Sequence, residues 1–432
     1  MEIGKKKINF QEALSIFFSA IILIYFFYGF YTNENSAGAG PYDFELIWKN
    51  LQLLKQNTFS NLDNALYNDS RPPLAYIIHI YLNPFIQNKE DFRLSVLLIS
   101  LVVPILFFFC LRKNFKTSNV YLLLFLTSIV MLSPYFRTSA FWGLGENYGL
   151  VCLLSAYLIY SKIDTENLKK DSFDNYLLIL LLCFFSSLCV YFDQKLVFIP
   201  ALCLFHLLNA NINYRLKYSS IFFFVVMALP FLYLIYLWGS IIPPNATGKR
   251  GLGEEFHLFN LGYCLTIISF YVLPLFIFKK DILFEFKKKL LSREFFIIIF
   301  LLFIYICAVL IFANFETLPN LGKGIVHKVF LILFEDINLR LIFTLISFFL
   351  ATIIVYSYFN KKIDFAVIIF LLLMSVFTFP FQQEYLDPLI FLLSFSFFRT
   401  KLNLNFKKTY LIFFYFATFS ISTKMYYATI LG

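Results

Sequence analysis

The 432-residue chain is 60% hydrophobic and 21% aromatic, with only 14% charged residues and a formal net charge of +10. Soluble domains carry about 25% charged residues, so this composition excludes an ordinary soluble protein and indicates an integral membrane one. The basic excess does not indicate nucleic-acid binding, because the Lys and Arg sit in short connections between apolar runs, where they set membrane orientation.

Apolar runs of about 18–25 residues recur along the chain, each long enough to cross ~30 Å of hydrocarbon as a helix. They predict an all-α, polytopic membrane protein of about thirteen transmembrane helices. The first run, Ala13 to Phe30, follows Lys5-Lys6-Lys7 and is too long for the core of a secretory leader, so it reads as an uncleaved span. With that basic start in the cytoplasm, alternating spans put Arg112, Lys113, Lys287, Lys288, Arg399 and Lys401 inside, as the positive-inside rule requires. The polar segments then fall on the outer face. Abundant Phe, Ile, Lys and Asn fit an AT-rich bacterial genome. The expected location is therefore the bacterial inner membrane, with a cytoplasmic N-terminus and a periplasmic site.

The first outer loop, residues 32–91, is the richest. Phe44 to Leu54 reads as an amphipathic interfacial helix with Leu46, Ile47, Leu51 and Leu54 on its apolar side and Asp43 at or near its N-cap. Asp43 is either that cap or a general base at the lipid–water boundary, with Glu45 as the alternative. Arg71-Pro72-Pro73-Leu74 starts a second helix, since proline at a first helical position needs no amide partner. Arg71 is there a candidate phosphate-binding cation, and His79 a packed histidine.

Farther along, Arg137, Trp142, Glu146 and Asn147 bracket the join of the third and fourth spans, where clustered polar groups suggest a lined cavity. Asp193-Gln194-Lys195 is either a solvated hairpin or a way of placing Gln194 and Lys195 in that cavity. The loop from Pro243 to Asn260 holds Lys249, Arg250, Gly251, Gly253 and His257, a composition suited to phosphate but lacking the nucleotide-loop signature. Phe381 to Pro388 offers Gln383 and Tyr385 either as a helix start or as a cavity roof. Cys110, Cys152, Cys183, Cys189, Cys203, Cys264 and Cys307 all lie in apolar runs, so neither a disulfide framework nor a zinc site is expected.

Asp43 after a first span, then a short helix, then Arg71-Pro72-Pro73-Leu74 and Phe92-Arg93-Leu94, resembles the GT-C superfamily of multi-span glycosyltransferases. The turn from Pro134-Tyr135-Phe136-Arg137 to Glu146-Asn147-Tyr148 resembles the family's second acidic segment. Trp238-Gly239-Ser240 with His257 is more faintly similar to the dolichyl-phosphoglucose-dependent α-1,2-glucosyltransferases. The resemblance implies residues 1–240 as an N-terminal membrane module carrying the catalytic loop, and 241–432 as a variable C-terminal module. It implies inverting transfer of a sugar from a polyprenyl-phosphate donor to a lipid-linked glycan, protein or other envelope acceptor. Asp43 or Glu45 would be the base. Arg71, Lys195, Lys249 or Arg250 would hold the departing phosphate, and Arg137, Glu146, Gln194, His257, Gln383 and Tyr385 would complete the substrate site. No cofactor or protein-bound metal is expected beyond the donor lipid, a divalent cation being the one open addition. The rival readings are a lipid-linked oligosaccharide flippase and an O-antigen-type polymerase or ligase.

Overall fold

The computed structural model describes residues 8–64, 66–116, 118–165, 168, 172–243, 256–279, 282–312, 322–378 and 380–430, and no strand occurs among them. Helix α1 (Phe10–Tyr31) begins with a capping box in which Asn9 and Glu12 satisfy each other's amides. Helix α2 (Gly40–Gln56) has proline in its first turn and buries Phe44, Ile47, Leu51 and Leu54 along one side. Helix α3 (Leu74–Tyr81) follows the two prolines, and α4 (Lys89–Asn114) starts on a second box between Asn88 and Asp91. Helices α5 (Val120–Leu132) and α6 (Pro134–Phe141) meet at a 71° bend. The bend has a cause: Ser133 caps α6, and Asp387 accepts from the Ser133 hydroxyl (2.7 Å) and from the Tyr135 amide (3.3 Å).

The chain continues through α7 (Glu146–Thr165), α8 (Phe173–Phe192), α9 (Gln194–Asn209), α10 (Tyr214–Trp238) and α11 (Phe259–Phe278). It ends with α12 (Ile282–Leu290), α13 (Arg293–Phe312), α14 (Gly324–Leu333), α15 (Ile337–Tyr358), α16 (Lys362–Val376), α17 (Leu389–Ser394) and α18 (Phe406–Ile430). Helices α10 and α13 turn most of their apolar side chains outward, as helices facing lipid do, whereas α11 lies in the interior.

Among the described residues, seven helices are long and apolar enough to span a membrane, or eight if the bent pair α5–α6 counts as one span. The expected thirteen spans are not met by that measure. The reason is length: the apolar run around residue 392 forms only the six-residue α17, whose Leu389, Ile390, Leu392 and Leu393 are enclosed by protein, and the run around residue 371 forms the 15-residue α16. Hydropathy does not distinguish a side chain facing lipid from one facing other helices. One contiguous buried cluster runs from Ile22 to Phe419, and the boundary expected at residue 240 marks no break in it.

Polar side chains fasten the bundle at two opposite ends. At one, Asn119 donates to Glu12 (2.5 Å), Tyr410 to the Gln11 carbonyl (2.8 Å), Asn114 to the Phe395 carbonyl (2.8 Å), and Arg399 to the Tyr160 hydroxyl (2.8 Å). The other end gathers the C-termini of α1 and α8, the N-termini of α4, α7 and α9, and residues 381–387. That end holds the cavity.

Candidate active site

A cavity of about 130 Å³ opens between the start of α7, the turn joining α8 to α9, the end of α16 and residues 381–386. Each polar wall is held by local structure. In the segment leading to α3, the Asp69 carboxylate accepts the Arg71 amide (3.0 Å) and the Tyr76 hydroxyl (2.5 Å), while Tyr67 donates to the Arg71 carbonyl (3.1 Å). The Arg71 backbone is thereby fixed, and its guanidinium forms an ion pair with Glu146, the first residue of α7. Ser139 also donates to Glu146 (3.4 Å). In the tight turn after α8, Asp193 accepts the Lys195 amide (3.3 Å) and pairs with the Lys195 ammonium (2.8 Å). That ammonium lies 5.6 Å from the centre of the Tyr385 ring. Glu384 completes the polar lining, and Leu371, Met374, Phe381 and Leu386 form an apolar wall.

Two cations and three carboxylates thus share one open cavity. Burial, together with the negative charges of Glu146 and Asp43, pushes Glu384 up to about 7, against the opposing pull of Arg71 and Lys195. Asp193 is raised as well, by burial and by Glu146, with Lys195 opposing. Behind the wall, burial lifts Asp387 to about 6. Among the described residues, no group of three or more His, Cys, Asp and Glu side chains is placed to hold a metal ion.

The cavity brings together Arg71, Glu146, Gln194, Lys195 and Tyr385 of the residues expected from sequence. Other expectations are corrected. Asp43 lies near the N-cap of its helix but is not the cap itself, because α2 starts three residues earlier and Asp43 sits in its first turn, half-buried, its charge acting on Glu384. Glu45 points away, in an exposed ion pair with Lys89 (2.5 Å). Arg137 is fully buried and grips Glu34 through two bonds of 2.7 and 2.8 Å, so it has no free face for a ligand. Gln383 turns outward from the cavity, accepting the Ile325 amide (2.8 Å) and donating to Tyr271 (3.0 Å). The amide of His257 bonds the Val376 carbonyl (3.0 Å), and His257 is not among the cavity-lining residues. Lys249 and Arg250 lie outside the described residues.

His79 is packed, as its apolar surroundings predict. Its ring meets the Tyr148 hydroxyl (2.5 Å), and burial holds its pKa down at about 4. Arg93 is also structural: it donates to the Phe141 carbonyl (2.8 Å) and to Asn33 (2.7 Å) and stacks over Trp142. Sequence reasoning passed over Asp69, Asp193 and Glu384 as site groups. The available signal was a carboxylate beside a cation in a very short turn between apolar runs. No protein-family model, no curated protein and no solved structure matches the chain.

Proposed function

We propose that the chain is a membrane glycosyltransferase that moves a sugar from a polyprenyl-phosphate donor to a hydroxyl of a lipid-linked or other envelope acceptor. The observation that carries this reading is the Glu384 carboxyl, raised toward neutral pKa, sharing an open cavity with Arg71 and Lys195. A general base works best with a pKa near the ambient pH, and paired cations suit a phosphate leaving group. In the step we assign, the acceptor oxygen attacks the anomeric carbon as its proton passes to Glu384. The carbon–oxygen bond to the lipid phosphate breaks with inversion, and the departing phosphate keeps the bonding pair beside Arg71 and Lys195. The apolar wall at Leu371, Met374, Phe381 and Leu386 would receive the first isoprene units. Asp43, the base expected from the resemblance, becomes a neighbour that tunes Glu384.

We also read the shorter helices as passes that cross within the protein rather than through lipid, giving thirteen traverses in all. The alternation of helix ends between the two fastened faces supports it. The face bearing Arg399, Lys401, Lys407 and Lys408 would be cytoplasmic, which puts the cavity outside.

The test supplies purified protein in lipid with a panel of radiolabelled polyprenyl-phosphate sugars and a total envelope-lipid extract as acceptor. Transfer of one label, lost in Glu384→Gln with the protein still folded, is the expected result. Transfer from no donor overturns the reading, and full activity in Glu384→Gln overturns the assignment of the base.

A further inference from the structure

A second cluster of cations lies across the 381–385 segment from the cavity, where α14 meets α15. The loop entering α14 has three successive residues in the left-handed region, Gly322, Lys323 and Gly324, with φ of 80°, 62° and 80°. Lys323 is buried despite its charge, and its ammonium lies 5.7 Å from the centre of the Tyr263 ring. One turn on, His327 is 3% exposed. Its Nδ1 meets the Tyr263 hydroxyl at 3.4 Å, and its Nε2 has no hydrogen-bond partner. From α15, Arg340 comes close enough for its charge to act on both Lys323 and His327, and its Nε is likewise buried without a partner.

Buried polar atoms are nearly always satisfied, and a buried cation normally has a counter-charge. Among the described residues, the nearby carboxylates are engaged elsewhere. Asp336 spends its carboxylate capping α15 through the amides of Asn338 and Leu339, and Glu335 offers Arg340 only its backbone carbonyl. Lys328, the neighbour of His327, turns to the Tyr426 and Tyr427 rings and adds positive field without filling the gap. Burial and the surrounding cations hold His327 at about 3, so at neutral pH its ring is uncharged and offers one N–H donor. The arrangement combines two cations and a neutral donor, two of whose polar atoms are buried without a partner, and it wants an anion.

We propose that Lys323, His327 and Arg340 form a binding site for a phosphate monoester or diester group, separate from the cavity. The group could reach it as the headgroup of a membrane lipid or as a free phosphate, and the experiment separates the two. Full-length protein in detergent is titrated with short-chain phosphatidic acid, phosphatidylcholine and inorganic phosphate, with binding read by calorimetry and thermal shift. The expected result is saturable binding of a phosphate-bearing probe that weakens at least tenfold in Arg340→Gln and in Lys323→Gln. Phosphatidic acid binding far above inorganic phosphate assigns a lipid headgroup, and equal binding assigns the free anion. Should Lys323→Gln misfold, Arg340→Gln on the other helix carries the test, with His327→Asn as a milder third variant. Binding by none of the three probes, or binding that Arg340→Gln leaves unchanged in a folded protein, overturns the proposal.

Discussion

Replacing Arg137 by Met separates a structural role from a ligand role at a residue that the family resemblance implies in the substrate site. Both partners of the Arg137–Glu34 pair are out of solvent, with side-chain exposures of 0% and 1%. Breaking such a pair from one side costs about 3–5 kcal/mol, because the surviving charge stays buried. Here the survivor keeps one cation, Lys424, at 3.0 Å and 40% exposed, so the cost should fall near the low end, about 3 kcal/mol. Removing both charges, in Arg137→Met with Glu34→Gln, should recover most of that loss. Six of the seven cysteines are buried, so a thiol-reactive fluorophore reports unfolding directly during a thermal ramp. A loss of several degrees in the single variant and partial recovery in the double are expected. Gly29→Ala should mimic the single variant, since a Cβ there would stand 2.3 Å from Arg137 Nη2. An Arg137→Met protein that melts like the parent but binds donor poorly would return Arg137 to the substrate site and refute the argument.

Glu384 sets a pH dependence. Its folded pKa of about 7 stands above the ordinary 4.5, so the fold favours the protonated form. Its contribution to stability is therefore complete below 4.5 and is lost as pH rises through about 7, while the base form needed for transfer appears over the same upper range. Transfer rate should climb through pH 7 and level off above it, and a flat profile would remove Glu384 from the chemistry. Arg71→Ala should raise the donor half-saturation at least tenfold with a smaller change for acceptor, whereas Glu45→Gln should change neither, as steady-state kinetics would show. Gly262→Ala should destabilise by roughly 1–3 kcal/mol, because a Cβ there falls 2.2 Å from the Phe348 ring where α11 and α15 are in close contact; thermal unfolding checks it.

Which polar residues belong to the site turns on who their partners are, and those partners are remote in sequence. The run Arg71-Pro72-Pro73-Leu74 is legible because its physics is local: the prolines start α3 and Asp69, two residues earlier, holds the Arg71 amide. The amphipathic side of α2 is legible for the same reason, since Ile47, Leu51 and Leu54 recur at helical spacing and all are buried. Arg137 and Arg71 carry no such local difference. Both are arginines at a helix boundary beside proline and aromatic residues. One is locked to Glu34, 103 positions away, and the other pairs with Glu146, 75 positions away, at the wall of an open cavity. The distinction is made by tertiary contact alone. Glu384 is the same problem in reverse: an unremarkable carboxylate in a short polar turn gains its chemistry from burial and then from Glu146, which no spacing rule connects to it. A polar residue at the end of an apolar run is therefore evidence for a site only after its partner is known. In a helical bundle that partner sits on whichever other helix end the topology brings to the same face.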